Sequence, residues 1–214
     1  SGKEDTTRSR SLLFFSHAIL LASGMNKPVK LYIPENGVIS MNIPLTEHRM
    51  GSLSTRTTHP YFMGLLQELL NSLDLKITIV NPYQIKTKGE MMMECKDIDF
   101  LKSNYPLTMS CSHPDLGRWK KETESSHCGV CLPCTIRRAA IMKAGLKDES
   151  FYRDPQYKDI EAETNLRSYK LGLTQKKTPI WAIQESGPIT RLQQDFADLY
   201  QRGLAELKDF IDTL

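Results

Sequence analysis

The sequence predicts an α/β fold built on a parallel sheet, and three observations carry that prediction. Two short runs with β-branched or apolar centres, VKLYIP at 29–34 and KITIVNP at 76–82, read as strands bounded by proline. Segments of helical periodicity lie before, between and after them. A third run, PLTMSC at 106–111, follows a further pair of helical segments and reads as a third strand that delivers Cys111. Helix–strand–helix–strand–helix–strand order is that of a layered fold with parallel strands. Three strands make a thin sheet.

The elements follow in order. Residues 9–23 read as a buried helix ended by Gly24, in keeping with glycine just past helix C-termini. Its apolar run LLFFSHAILLA, with Lys3, Arg8 and Arg10 before it, imitates a secretory signal peptide, but eleven residues broken by Ser16 and His17 are too few to span a bilayer. Residues 35–59 show no sustained period and read as a long loop, a length usually found where loops are functional. Phe62, Leu65, Leu66, Leu69 and Leu70 place a helix over 61–73. Thr87 and Glu90 form a capping box that starts a helix at about residue 88. DIDFLKSN at 97–104 is a short helix, TIRRAAIMKAGL a helix ending at Gly145, and Pro188 to the end a last helix with Ile189, Leu192, Phe196, Leu199, Leu204, Leu207, Phe210, Ile211 and Leu214 on one face. Residues 1–150 are expected as one domain and 151–214 as a helical extension.

The 214 residues are 40% hydrophobic and 25% charged, an ordinary globular balance. A net charge of +3, with few basic–aromatic clusters, argues against a nucleic-acid partner. No segment is a candidate membrane span. Four of the five cysteines fall within 111–134, as Cys111-x16-Cys128-x2-Cys131-x2-Cys134. A disulfide scaffold belongs to short secreted chains, so a metal site in a reducing, cytoplasmic setting fits better. Four cysteines are a standard structural zinc set. The C-x2-C turn aims two sulfurs at one ion, Gly129 relieves crowding in it, Pro133 stiffens it, and Cys134 falls at a helix N-terminus, where the dipole favours thiolate. An iron–sulfur cluster is the rival reading, but the ferredoxin pattern asks for another cysteine and a proline where this chain has Thr-Ile-Arg-Arg. A redox pair would leave two cysteines without a role. His113 and His127 could substitute as ligands but read as surface histidines, and Cys95 reads as a core thiol.

These residues carry a resemblance. TMSCSH followed by HCGVCLPCTIRRAAIMKAG resembles the zinc motif of the 7-cyano-7-deazaguanine synthase (QueC-like) family, with Cys111, Cys128, Gly129, Cys131, Cys134, Arg137, Ala144 and Gly145 on the pattern. NPYQIKTKGEMM resembles the family's strand–TKAEI–helix segment at Thr87, Lys88 and Glu90, and RSRSLLFFSHAILLAS its substrate-lining helix. The resemblance covers about 8–146. The stretch NIPLTEHRMGSLSTRTTHPYF is most similar to QueC-like proteins of bacterial anti-phage (Qat-type) operons. Housekeeping members carry a short D-C-R-P-x-F there; here Pro60 and Phe62 align and His59 stands where arginine is expected. The family's phosphate loop, S-G-G-x-D-S, does not occur in this sequence. The chain is therefore expected to be the C-terminal part of such a protein, with the loop before Ser1.

The resemblance implies a parallel sheet of the adenine-nucleotide alpha-hydrolase (ATP-pyrophosphatase, Rossmann-like) type, a structural Zn2+, and ATP with Mg2+. It implies an ATP-dependent ligase or synthetase acting on a 7-carboxy-7-deazaguanine-type substrate, in queuosine biosynthesis by nitrile formation or in anti-phage defence by transfer of the deazaguanine to a protein amine. Partners would be that small molecule, a protein of the same operon or a second copy of the chain. The competing reading is a catalytically incomplete, zinc-stabilised interaction module. Lys88, where a strand end meets a helix start, is the expected phosphate contact, with Arg10 and Ser11 beside it. Arg56, Thr57, Thr58 and His59 are expected to form a substrate or partner loop. Arg137 and Arg138 are expected to pair with acidic neighbours. No residue stands out as catalytic.

Overall fold

The computed structural model describes residues 8–43, 45, 57–115, 117, 123–175 and 177–214, with residues 8–10 described by their backbone alone. The element order is α1 (Arg8–Ser23), β1 (Val29–Tyr32), α2 (Gly37–Met41), α3 (Pro60–Ser72), β2 (Ile77–Val80), α4 (Lys88–Met93), α5 (Ile98–Asn104), a 3-10 turn (Tyr105–Leu107), α6 (Leu132–Lys143), α7 (Ile160–Thr174), α8 (Pro179–Gln184) and α9 (Gln193–Ile211). Two compact units share these elements: Ser1–Ile85 with Lys177–Leu199, and Lys86–Lys176 with Tyr200–Leu214. Helix α9 begins in the first and ends in the second. Among the described residues, no helix is long and apolar enough to cross a membrane.

The first unit holds the sheet. β1 and β2 pair in parallel, Val29 opposite Ile77 and Tyr32 opposite Val80. Ala22, Leu70 and Ile77 form a buried cluster on one face, with Ile19, Val29, Leu31, Leu75 and Ile79 packed against it. The other face carries the exposed side chains of Lys30, Tyr32 and Thr78. Parallel strands need a crossover, and α2 and α3 supply it.

The sheet ends at β2 for a reason visible in one side chain. Gln67 of α3 donates from Nε2 to Ile77 O at 2.9 Å and accepts from Ile79 N–H at 2.8 Å. These are the alternate backbone groups of β2 that face away from β1. One amide thus does what a neighbouring strand would do and closes that edge.

Several expectations are corrected here. The third strand at 106–111 is absent. Pro106 instead sits in the 3-10 turn, and the chain runs irregularly to Cys111. Side chains hold it there: Thr108 O accepts from His127 Nε2, and Tyr105 O, just before the expected strand, accepts from Arg137 Nη2 and from Thr108 Oγ1. The span read as a long loop contains α2. Asn36 caps it by accepting from Ile39 N–H at 3.1 Å, and Asn42 ends it at φ 48°. Gly37 has no room for a side chain, because a Cβ there would lie 1.9 Å from Gln84 O. Helix α1 forms where expected but is buried on one face only: Phe15 and Ala22 are covered, whereas Leu20 and Leu21 are 68% and 72% exposed. A sheet of two strands offers too little surface to cover all the apolar residues of α1, which are not gathered on one face. The last helix starts at Gln193 rather than at Pro188, since Leu192 adopts φ 53° just before it. Ile189, Phe196, Leu199, Leu207, Phe210 and Ile211 are buried, while Leu192 and Leu214 are exposed.

The second unit packs α4 on α6, and α9 completes it. The capping box is present: Thr87 Oγ1 accepts from Glu90 N–H at 3.1 Å, and Glu90 Oε2 accepts from Thr87 N–H at 2.9 Å. Glu206 of α9 adds a second layer, accepting from Thr87 Oγ1 at 2.6 Å and from Gly89 N–H at 3.1 Å. Burial pushes the Glu206 carboxyl above its usual value, and these two donors pull the other way. Gly89 makes the approach possible, since a Cβ there would meet Glu206 Oε2 at 2.6 Å. Arg202, one turn earlier on α9, binds Glu90 at 2.6 Å.

Replacing Gln67 with alanine exposes the edge of β2 without altering the core. Two backbone groups lose their partners, so Gln67→Ala should lower stability by about 1–3 kcal/mol in denaturant melts. Hydrogen exchange at Ile79 should quicken while the amides of β1 that face β2 stay slow. An unchanged melt with unchanged exchange at Ile79 would show that water replaces the amide at no cost.

Candidate metal centre

Three pieces of chain bring four sulfurs together in the second unit. Cys111 lies on the irregular segment after the 3-10 turn, Cys128 in the turn that precedes α6, and Cys131 and Cys134 at the start of that helix. Cys131 is the N-cap residue of α6, Pro133 falls within the first two helical positions, and Cys134 follows in the first turn, as the spacing predicts. Gly129 adopts φ +88°, and a Cβ there would meet Asp154 O at 2.7 Å. Both the backbone sign and the close approach therefore require glycine at this turn.

The four Sγ atoms all lie within 4.8 Å of one another. Cys111 and Cys131 are 3.9 Å apart, and so are Cys128 and Cys134. A disulfide would need about 2.05 Å, so these are thiols in contact rather than bridged pairs. A tetrahedron of sulfurs about 2.3 Å from a zinc ion has edges of about 3.8 Å. The donor set and its spacing fit a four-thiolate metal site.

Backbone amides already point at the sulfurs. Cys111 Sγ accepts from Cys128 N–H at 3.3 Å and from His113 N–H at 3.4 Å. Cys131 N–H donates to Cys128 Sγ at 3.3 Å, and Ser112 N–H to Cys131 Sγ at 3.5 Å. Such donors favour thiolate over thiol. With protons in place of a metal, the cluster divides unequally. The Cys131 and Cys134 thiols hydrogen-bond Cys128 and hold its pKa far below the ordinary thiol value. The same contact to Cys128 pushes Cys131 up to about 11, and contacts to Cys128 and Cys131 push Cys134 up as well. A bound cation would displace these shared protons, so metal affinity should fall as the pH falls.

The residues next to the sulfurs differ in part from expectation. His127 is not a surface histidine. It is 4% exposed, its Nε2–H donates to Thr108 O at 3.1 Å, and its Nδ1 lies 3.8 Å from Cys134 Sγ. Burial, and then the nearby Arg137, lower its pKa, so it is neutral at pH 7. His113 is exposed, as expected. Cys95 is half-buried rather than in the core, and its Sγ contacts Asp97 O at 3.3 Å, outside the sulfur group. Arg137 and Arg138 do not pair with acids. Arg137 is buried and donates to Thr108 Oγ1 at 2.7 Å, to Ser150 Oγ and to Tyr105 O. Arg138 donates to Gly129 O and Pro155 O and lies over the rings of Phe210, Tyr152 and Tyr157 at 4.7, 5.2 and 5.7 Å.

The remaining expected site residues fall in both units. Lys88 opens α4 in the second unit and donates from Nζ to Ser110 Oγ at 3.2 Å, next to Cys111. In the first unit, Ser11 Oγ lies 2.8 Å from Thr57 Oγ1, and Thr58 Oγ1 lies 3.0 Å from Ser40 Oγ. His59 is the N-cap of α3: its Nδ1 accepts from Tyr61 N–H, and its Nε2 lies 3.2 Å from Ser186 Oγ. Thr58 and His59 are both buried. Arg56 and the side chain of Arg10 lie outside the described residues. Sequence reasoning missed Ser110, Ser186 and Glu206. Only Ser110 had a local signal, its place before a candidate ligand.

The purified protein should contain about one zinc per chain and no visible absorption band, whereas an iron–sulfur protein would be coloured. Cys131→Ala should abolish stoichiometric zinc and destabilise the second unit, because structural zinc contributes folding energy. Cys95→Ala should keep full zinc content. A brown sample with bound iron would overturn the assignment.

No curated protein and no solved structure matches the chain significantly. One family model does: residues 57–145, somewhat under half of the chain, match the model described as Queuosine biosynthesis protein QueC. That span takes in all four sulfurs, the capping box and Lys88, and it supports a QueC-like family for this chain.

Proposed function

We propose that this chain is the zinc-bearing part of a QueC-like synthetase, one that uses ATP to activate the carboxylate of a 7-carboxy-7-deazaguanine-type substrate for attack by an amine. The observation that carries the reading is a four-sulfur cluster of zinc dimensions inside the span that matches the QueC model. In this class of reaction the carboxylate oxygen attacks the α-phosphorus of ATP and pyrophosphate leaves. The amine nitrogen then attacks the acyl carbon and AMP leaves. Ammonia as the amine leads toward a nitrile, and a protein amine gives a conjugate. The departures from the housekeeping pattern around His59 favour the second outcome and a role in anti-phage defence.

Zinc at four thiolates is coordinatively closed, so its contribution is to fix the Cys111 segment against the start of α6. This chain's own part in the chemistry rests on charge placement. Lys88 is the proposed phosphate contact: its ammonium sits at the first residue of α4, steadied by Ser110. Ammonium is a compact charge suited to phosphate oxygens. Ser11 and Thr57, joined hydroxyl to hydroxyl, are the proposed polar contacts for substrate in the first unit. Arg10 and Arg56 are proposed to supply positive charge nearby in sequence.

A second reading has its own support. Thr58 and His59 are buried and bonded within their unit, which spends on structure two residues expected at a substrate entrance. That favours a zinc-stabilised interaction module working with a partner chain.

Calorimetry separates the two. ATP with Mg2+ and the 7-carboxy compound should each bind, and Lys88→Ala should weaken ATP about tenfold at unchanged zinc content, the loss of one charge-assisted contact. Because the sequence holds no S-G-G-x-D-S loop, release of AMP and pyrophosphate by this chain alone should not exceed that of the Lys88→Ala variant. Absence of binding by both ligands would leave the interaction module standing.

A further inference from the structure

The family match ends at Gly145, and the segment after it makes contacts that the proposed chemistry does not use. Residues 152–154 run beside the cysteine turn and are tied to it through the backbone. Arg153 N–H donates to His127 O at 3.0 Å, Asp154 N–H donates to Cys128 O at 3.1 Å, and His127 and Tyr152 form a parallel bridge. Two tyrosines extend the contact. Tyr157 OH lies 2.7 Å from Thr135 Oγ1, which itself donates to Cys131 O, and Tyr169 OH donates to Val130 O at 3.2 Å. Tyr157 and Tyr169 are 4% and 5% exposed. Their partners lie in the turn or one helical step from a sulfur ligand.

This segment anchors itself through Tyr157, Ala162 and Tyr169 and leaves other apolar groups in or beside it uncovered. Phe151 and Ile160 are 71% and 86% exposed, and Tyr157 adopts φ 54°, a conformation that costs a side-chain-bearing residue energy. Residues 152–159 carry one isolated bridge and no helix, so this part of the segment, which leads into α7 (Ile160–Thr174), depends on the surface it fits. That surface is the Cys128–Cys134 turn in one geometry, with Gly129 at positive φ against Asp154 O. The same geometry brings the four sulfurs together.

We propose that residues 152–169 are a metal-ordered strap: they dock on the Cys128–Cys134 turn when the four sulfurs hold a metal, and they slow its release in return, with Tyr157 and Tyr169 as positioning residues. The proposal rests on the zinc assignment above. Linkage makes the two effects reciprocal, since whatever the metal does for docking, docking does for the metal.

The test begins with zinc analysis of the purified chain, and a protein that takes up no zinc defeats the metal assignment itself. With stoichiometric zinc, hydrogen exchange is compared before and after chelation. Amides of 152–169 should exchange at least about tenfold faster once the metal is removed, while those of α3, Pro60–Ser72, stay unchanged. Tyr157→Phe/Tyr169→Phe keeps both rings and removes two hydrogen bonds. Zinc transfer from this variant to a chromogenic chelator should be about tenfold faster than from wild type, given about threefold for each of the two hydrogen bonds. Strap exchange that ignores the metal overturns the proposal, and so does acceleration spread evenly over both units. Unchanged zinc release from a folded double variant overturns it as well. If that variant fails to fold, the wild-type exchange comparison decides alone.

Discussion

Four sulfurs held 3.9 to 4.8 Å apart set the terms for the rest of the second unit. Two unit negative charges at about 4 Å repel by about 4 kcal/mol at an effective dielectric of 20, so four thiolates at this spacing require a cation. A divalent ion still leaves the cluster net negative. The surroundings answer with backbone N–H groups from Ser112, His113, Cys128 and Cys131, and two arginines of α6 tie the flanking backbone in place. Arg138 reaches Gly129 O, and Arg137 ties Tyr105, Thr108 and Ser150 to the same helix. The segment that delivers Cys111 is tied to the cysteine turn and to α6 instead of to the sheet: Thr108 O accepts from His127, and Tyr105 O, just before the segment, accepts from Arg137.

The chain after residue 150 belongs to both units. Gly37 is packed so closely that a Cβ would meet Leu199, and His59 meets Ser186, within the first. Tyr169, Glu206 and Phe210 are buried within the second. Glu206 shows the cost of this arrangement. Its carboxylate is desolvated, which raises its pKa, and it is tolerated because Thr87 Oγ1 and Gly89 N–H would otherwise be buried without an acceptor. Glycine at 89 is the concession that lets the carboxylate in.

Sequence reading succeeded where the physics is local. The capping box needs only Thr87 and Glu90 three apart, the sulfur cluster only its cysteine spacing and Gly129, β1 only its run stopped by Pro34, and β2 only its β-branched centre. It failed where a distant partner decides. Nothing near Tyr105 announces that Arg137 will take its carbonyl, and nothing near β2 announces that Gln67 will close its edge. Helix α2 was hidden because its five residues are too few to show a period, although Asn36 and Asn42 mark both ends in hindsight. Helix α7 carries an apolar residue only at scattered positions and buries Ala162 and Tyr169, so its inward face does not read as a stripe.

The span that matches the QueC model crosses from one unit into the other: residues 57–85 lie in the first and 86–145 in the second. What the match shares with that family is therefore a path through the fold, from the cap of α3 through β2 and the capping box to the metal turn, and not one self-contained unit. Along that path the metal turn and the proposed phosphate contact are neighbours. Lys88 leans on Ser110, and Ser110 precedes Cys111. A closed four-thiolate site has no coordination position to offer a substrate. Under the proposed function it would still bear on phosphate binding, because fixing Cys111 fixes Ser110, and Ser110 holds the Lys88 ammonium. A metal held by the four sulfurs would then reach the proposed phosphate contact through one hydroxyl and one backbone step.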